Sequence, residues 1–222
     1  MPNVISLMGL SAKMNYVQEA ILDNDSVLKN AESNIVENQS ANSNDLGNKI
    51  ENVKNELKEL ITKIDSESLT NPNTEPEAAL KELNKLRKEF ESKQKESNNF
   101  NNYQEVLGIQ PKEVKEIKDF QKKFETRHLL WDSLFTWNKQ HNSWFNDNFF
   151  DIDVVQLEKD VKEYERKAMT LRSSLRDRKD MVVELLLNNV KNVTQYLSLI
   201  IDLGNSALEA RHWNKIFKLL DS

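Results

Sequence analysis

Apolar residues recur at helical spacing along most of the chain. The sharpest run is Leu46, Ile50, Val53, Leu57, Leu60 and Ile64, in alternating steps of four and three. A 3.5-residue repeat of this kind is the seam of a coiled coil or a bundle helix. Upstream, Val4, Met8, Met14, Val17 and Ile21 form a looser helical pattern. The polar run 23–26 reads as a turn or cap. Helix is expected to resume there and to fray through the Asn- and Ser-rich run 38–44, a candidate joint. Asn71 and Pro72 stop the seam, because proline cannot continue the hydrogen-bond ladder. Thr74, Glu75, Pro76 and Glu77 then supply a capping hydroxyl, a first-turn proline and a glutamate three residues on. Leu80, Leu83, Leu86 or Arg87, and Phe90 make the next stripe, which fades at 97–99. Residues 46–96 are thus predicted to be an antiparallel helical hairpin with its tip near 66–74.

The second half carries longer patterns. Residues 101–109 read as a short helical turn ended by Gly108, and Pro111 as the first residue of a new helix. Its stripe is Val114, Ile117, Phe120, Phe124, Trp131 and Leu134, continuing through Trp137 or Asn138 to His141 and Trp144. Unbroken to Asn146, this helix has about 36 residues and spans roughly 54 Å. Residues 147–153 are a break, with Asp151 or Asp153 capping the following helix. Val154, Leu157, Val161, Tyr164, Ala168, Leu171 and Leu175 then hold the four-three spacing. A kink or loop is expected in the charged run 172–180, followed by a stripe from Val183 to Ile200. Gly204 is a candidate C-cap, with Asn205 or Ser206 capping a last helix that carries Leu208, Trp213, Ile216, Phe217 and Leu220. No alternating run reaches strand length. The fold class is all-α, an elongated stack of long helices and helical hairpins.

Composition narrows the function. Only four glycines and four prolines among 222 residues suit long helices. The four glycines are far apart, so no phosphate-binding loop or dinucleotide fingerprint can be assembled. The net charge of −5, with both signs interleaved, gives no basic footprint for nucleic acid or an anionic membrane. The longest apolar stretches are too short to span a bilayer, and the first ten residues lack the pattern of a signal peptide. There is no cysteine, which removes disulfides and thiolate chemistry. His128, His141 and His212 have no partner at helical spacing, so no metal site is expected. The region 147–153 lacks the central glycine and closing glutamate of a calcium loop. No catalytic, cofactor-binding or metal-binding residue is assigned, and no cofactor is expected.

The residues singled out are packing anchors: Trp131, Trp137, Trp144, Tyr164, Arg211, His212 and Trp213. Burying roughly 200 Å² of an indole at about 25 cal/mol/Å² supplies about 5 kcal/mol gross per ring. In a narrow bundle that suffices to explain the tryptophans without a ligand groove. Arg127 and Arg211 flank aromatic positions and are read as stacked or salt-bridged.

The order of segments resembles a known family. NNYQEVLGI at 101–109 precedes LLWDSLFTWNKQHNSWF at 129–145, then FFDIDVVQLEKDVKEYERKAM at 149–169, then LGNSALEARHWNKIF at 203–217. This resembles the N-terminal linker segment of dynein heavy chains over about 100–220, carried by Trp131, Trp144, Asn205, Leu208 and Arg211-His212-Trp213. The resemblance implies a helical region at 1–45 with a polar joint, a neck-like hairpin at 46–100 and the start of a linker-like helical domain at 101–222. In that family the linker arches over a ring of AAA+ modules, and its swing drives movement towards microtubule minus ends. It therefore implies a mechanical element without catalysis of its own. Its partners would be the remaining heavy-chain segments or AAA+ ring, intermediate and light chains, and microtubules only indirectly. The implied location is cytoplasmic or cytoskeletal, in the axoneme of a cilium. A stand-alone helical scaffold that docks axonemal or cytoskeletal subunits is the alternative reading.

Overall fold

The computed structural model describes residues 4–106, 108–111, 113–175 and 180–220, with side chains from Lys13 onward. The protein is all-α, and no strand occurs among the described residues. The chain divides into two units, one of residues up to 54 with 96–113, the other of 55–95 with residues from 114 on.

The first unit contains most of α1, Val4–Lys63, and the end of α3, Pro76–Val106. Both helices run further than the local sequence suggests. α1 is continuous through 23–26 and 38–44, so neither the turn nor the frayed joint is formed. Asn and Ser are mediocre helix formers, but they neither remove a backbone donor nor clash, unlike proline. At the first of these sites the Ser26 hydroxyl donates to the Asp23 carbonyl, 2.8 Å, a bond compatible with helix. α3 likewise continues through 97–99, with Ser97 buried. It ends at Gly108, whose φ of 69° lies in the left-handed region. The Gly108 N–H donates to the Glu105 carbonyl and the Ile109 N–H to the Gln104 carbonyl, the paired bonds of a Schellman turn. Leu46 and Val53 are buried in this unit.

The second unit begins with the tip of the hairpin. Leu57, Leu60 and Ile64 of the seam are buried, as are Leu83, Leu86 and Phe90 of α3. α1 stops at Lys63, before Pro72, and a single turn, α2 (Glu67–Thr70), bridges to α3. Pro76 is the first residue of α3, which leaves Thr74 one position outside the expected capping site. α4 (Lys115–Asn146) starts later than Pro111, with Val114 as its extended, buried N-cap. Phe120 of α4 stacks on Phe90, ring centroids 4.2 Å apart.

After a 3-10 turn at Phe149–Asp151, α5 (Val154–Ser174) opens with the Asp153 carboxylate accepting from the Gln156 N–H. Leu157, Val161, Tyr164, Ala168 and Leu171 form its buried stripe, as their spacing predicts. α6 (Met181–Thr194) follows; of the run expected to kink, 176–179 lie outside the described residues. The stripe from Val183 to Ile200 is divided at Gln195 and Tyr196 between α6 and α7 (Leu197–Leu203). The β-branched pair Val193 and Thr194 precedes the break and weakens the helix there. α5 packs most extensively on α6, and also on α4 and α7. The last helix, α8 (Ala210–Leu220), starts later than Asn205 or Ser206 would place it. The Asn205 carboxamide instead closes a turn by accepting from the Ala207 N–H.

Gly204 caps α7 with φ −79°, so its need for glycine is steric and not conformational. A Cβ there would collide with Cγ2 of Val154 and lie 3.1 Å from its Cβ. Val154 is β-branched and opens α5, so it has little freedom to yield. Gly204→Ala is therefore expected to destabilise the protein by about 1–3 kcal/mol through overpacking. Gly47→Ala, whose added methyl meets nothing within 4 Å inside α1, is expected to stabilise by roughly 0.5–1 kcal/mol. Thermal unfolding of the two variants followed by circular dichroism checks the opposite signs.

Candidate functional site: a junction anchored by arginine and tryptophan

α4 is the helix on which the second unit converges. Phe120, Phe124, Arg127, Trp131, Leu134 and Trp137 recur at steps of three and four along it, and all are buried. A face this wide can be covered only by several neighbouring elements.

Trp131 is fully buried, and its indole Nε1–H donates to the Leu69 carbonyl at 3.0 Å. Leu69 lies in a helix of one turn, whose carbonyls have no partner of their own within it. The indole thus ties the hairpin tip to α4 while satisfying a buried acceptor. Two turns on, Trp137 packs edge-on against Tyr164 of α5, at 5.1 Å, and against Trp144, at 5.7 Å. The Tyr164 hydroxyl donates to Thr136 Oγ1 at 3.0 Å, and Thr136 in turn donates to the Asp132 carbonyl at 2.7 Å. Trp144 is only partly covered.

Arg127 carries the main electrostatic feature. It is 4% exposed, and its Nη1 donates to Asp180 Oδ2 at 2.6 Å. Asp180 is also the N-cap of α6, accepting from the Val182 and Val183 N–H groups at 3.1 and 3.3 Å. Nη2 of Arg127 lies 3.9 Å from Asp65 Oδ1, and Lys123 pairs with the same carboxylate at 3.2 Å. One guanidinium thus faces a carboxylate from the hairpin tip and another from the start of α6. A cleft of about 560 Å³ opens beside them, with Asp65, Asp119 and Asp180 set against Lys122, Lys123 and Arg127. Three charges of each sign leave no net field to draw in an anion or a cation. The sequence leaves Arg127 either stacked or salt-bridged; the structure shows the salt bridge, to a partner 53 residues away.

The remaining anchors lie elsewhere in the unit. Trp213 is half-buried, edge-on to Phe150 at 5.1 Å and to Phe149 at 6.0 Å. Nδ1 of His212 accepts from the Glu209 N–H at 3.0 Å, satisfying a donor at the start of α8. Arg211 is exposed and pairs with Glu209 at 2.9 Å. Arg211, His212 and Trp213 therefore form a separate group and do not join Trp131, Trp137 and Tyr164.

His128 sits on α4 beside Phe124, whose ring also carries the Arg87 guanidinium 5.0 Å from its centroid. Burial holds the His128 pKa below its ordinary 6.5, Arg87 pushes it the same way, and Asp132 opposes both. No group of three metal-ligating side chains occurs among the described residues. None of the described helices is long and apolar enough to cross a membrane.

Fold and site together define a helical packing module whose polar groups are spent on tying helices to one another. Comparison with known proteins shows what it is similar to. Residues 117–222 match the family "Dynein heavy chain, N-terminal region 2". Dynein axonemal heavy chain 6 from Homo sapiens is 28% identical over 140 residues, 63% of this chain and 3% of that protein. Dynein axonemal heavy chain 2 from Homo sapiens is 21% identical over 139 residues, again 63% of this chain and 3% of the relative. Dynein axonemal heavy chain 1 from Mus musculus is 26% identical over 137 residues, 60% of this chain and 3% of the relative. The likeness to dynein heavy chains is thereby shown, and it lies in their N-terminal region. The matched segment spans about 3% of the length of these relatives. Trp131, Trp144 and the Arg211-His212-Trp213 run all fall within the family match.

Arg127→Met leaves Asp180 buried without its cation and is expected to cost about 3–5 kcal/mol. Adding Asp180→Asn, which keeps the helix cap, should recover a large part of that loss, measured as a double-mutant cycle in urea. The His128 shift sets a pH dependence. The folded state binds this proton less readily than the unfolded chain, so the contribution of neutral His128 is fully present above about pH 6.5 and is lost as pH falls below it. Melting curves between pH 7 and about 5 should fall less steeply for His128→Gln than for the parent protein.

Proposed function

We propose that this protein is a mechanical element of a dynein motor, the tail-proximal part of a heavy-chain linker contributing to minus-end-directed movement on microtubules. The match of residues 117–222 to the heavy-chain N-terminal region carries this reading. The packing supports it. An element that transmits force must resist bending and shear. Here the helices are joined by a buried ion pair, an indole hydrogen bond and interlocked aromatic rings as well as by apolar contact. In this reading Trp131, Trp137, Trp144, Tyr164, Arg211, His212 and Trp213 are packing anchors. Residues 101–222 begin the linker, 46–100 form a neck-like hairpin and 1–45 a preceding helical region.

Nucleotide chemistry would be supplied by an AAA+ ring and not by these residues. The partners are then other heavy-chain segments and that ring, with intermediate and light chains, while microtubules are engaged only through the assembled motor. The location that follows is the cytoskeleton, in the axoneme.

Affinity purification of the tagged protein from ciliated cells tests the proposal. Recovery with AAA+ heavy-chain material and intermediate chains is the expected result. A stoichiometric assembly with no AAA+ subunit would overturn it in favour of a free-standing axonemal scaffold. The purified chain is also expected to show no ATP turnover in a coupled phosphate-release assay, and hydrolysis lost in a Trp137→Ala or Arg127→Met variant would place chemistry here after all.

A further inference from the structure

The run 166–179 holds six basic residues and one acidic one, in a chain whose net charge is −5. Ser174 lies within it and is the last residue of α5. Its hydroxyl is exposed and donates to the Thr170 carbonyl at 3.0 Å. The next residue, Leu175, has already left helical geometry, with φ −105° and ψ 19°. A final turn of this kind opens more readily than the rest of a helix. Arg172, two residues before Ser174, has a side chain 64% exposed and pairs with Glu184 at the surface. An accessible serine with basic residues on both sides, at a helix end that can open, suits the acidic peptide groove of a basophilic serine kinase.

The surroundings of Ser174 suit the product as well. Ser174 lines the same cleft as Lys122, Lys123 and Arg127. Arg127 is committed to Asp180, and Lys123 pairs with Asp65 from an exposed position. Lys122 is exposed and enters no ion pair among the described residues. The balanced charges of the cleft draw in no free anion, but a phosphate attached at its edge needs no drawing in. Its local concentration is set by the covalent link. Asp65, Asp119 and the C-terminal end of the α5 dipole oppose it. The two lysines have long, mobile stems that can reach towards it, whereas the charge of Asp180 is already answered by Arg127 and the α6 cap.

We propose that Ser174 is a phosphorylation site for a basophilic serine kinase, and that Lys122 and Lys123 hold its phosphate. The γ-phosphoryl group of ATP passes to Ser174 Oγ. An O–P bond forms, the bond from the γ-phosphorus to the β,γ-bridging oxygen breaks, ADP leaves, and the hydroxyl proton goes to the base of the kinase. The product carries about −1.5 to −2 charges at pH 7. Lys123 is then shared between Asp65 at the hairpin tip and the phosphate at the end of α5, so the modification adds a tie between α4 and α5. The inference goes beyond the motor assignment and stands without it.

Incubation of the full chain with the catalytic domain of protein kinase C and labelled ATP tests the site. Ser174→Ala should lose nearly all of the label, while Ser173→Ala should keep it. Phosphorus NMR of the modified chain tests the lysines. The phosphoserine is expected to titrate below its ordinary value of about 6, and to return towards that value in the Lys122→Gln/Lys123→Gln variant. Both lysines are exposed, so the variant keeps the buried core. An unlabelled chain, label that survives Ser174→Ala, or a phosphoserine whose titration is unshifted or indifferent to the two lysines would each overturn the proposal.

Discussion

A guanidinium withdrawn from water must have its charge answered within the protein, and this requirement organises the junction around α4. Arg127 is held by Asp180 at 2.6 Å, with Asp65 close by. Neither carboxylate is near it in sequence. The chain must bring the hairpin tip and the start of α6 to the same face of α4, or leave a buried cation uncompensated. Apolar burial alone tolerates small rotations and slides of packed helices. A charged donor and acceptor inside the packing do not, because displacement unpairs both. Asp180 is used twice, as counter-ion and as helix cap, so the pairing also fixes where α6 begins.

The aromatic contacts extend the same logic along α4. Trp131 buries a large ring and answers the Leu69 carbonyl, and Tyr164 does the same through Thr136. Each ring contributes area, and its polar atom adds direction. A helical stack built this way is suited to passing displacement from one helix to the next, which is what the proposed role asks of it. The polar cleft beside Arg127 is lined by equal numbers of acidic and basic side chains, with Lys123 paired to Asp65 and Arg127 to Asp180, so its geometry serves cohesion.

Within one helix, the reading from sequence was accurate where the pattern depends on neighbours three and four residues away. The seam residues Val53, Leu57, Leu60 and Ile64 are buried, as are Leu157, Val161 and Leu171. Asp153 caps α5, and Gly108 takes the left-handed turn that only glycine accepts easily. Sequence expectation and structure part where a weak local preference is the only signal for a helix end. Runs of Asn and Ser at 38–44 and 97–99 lower helix propensity, but cooperative propagation carries α1 and α3 through them. Pro111 is compatible with a helix start, yet the helix waits for Val114, whose burial sets the entry.

The amino-acid sequence by itself determined an all-α protein, the faces its helices bury and the family its second half resembles. These follow from periodicity and from the order of motifs, and both are local. Tertiary structure alone decided which carboxylate answers Arg127, which carbonyl receives Trp131, and why residue 204 must lack a side chain. Those depend on groups some 50 to 60 residues apart meeting at a few ångströms. No spacing rule reaches that far, because the distance along the chain says nothing about which helix lies alongside until the apolar faces have been packed.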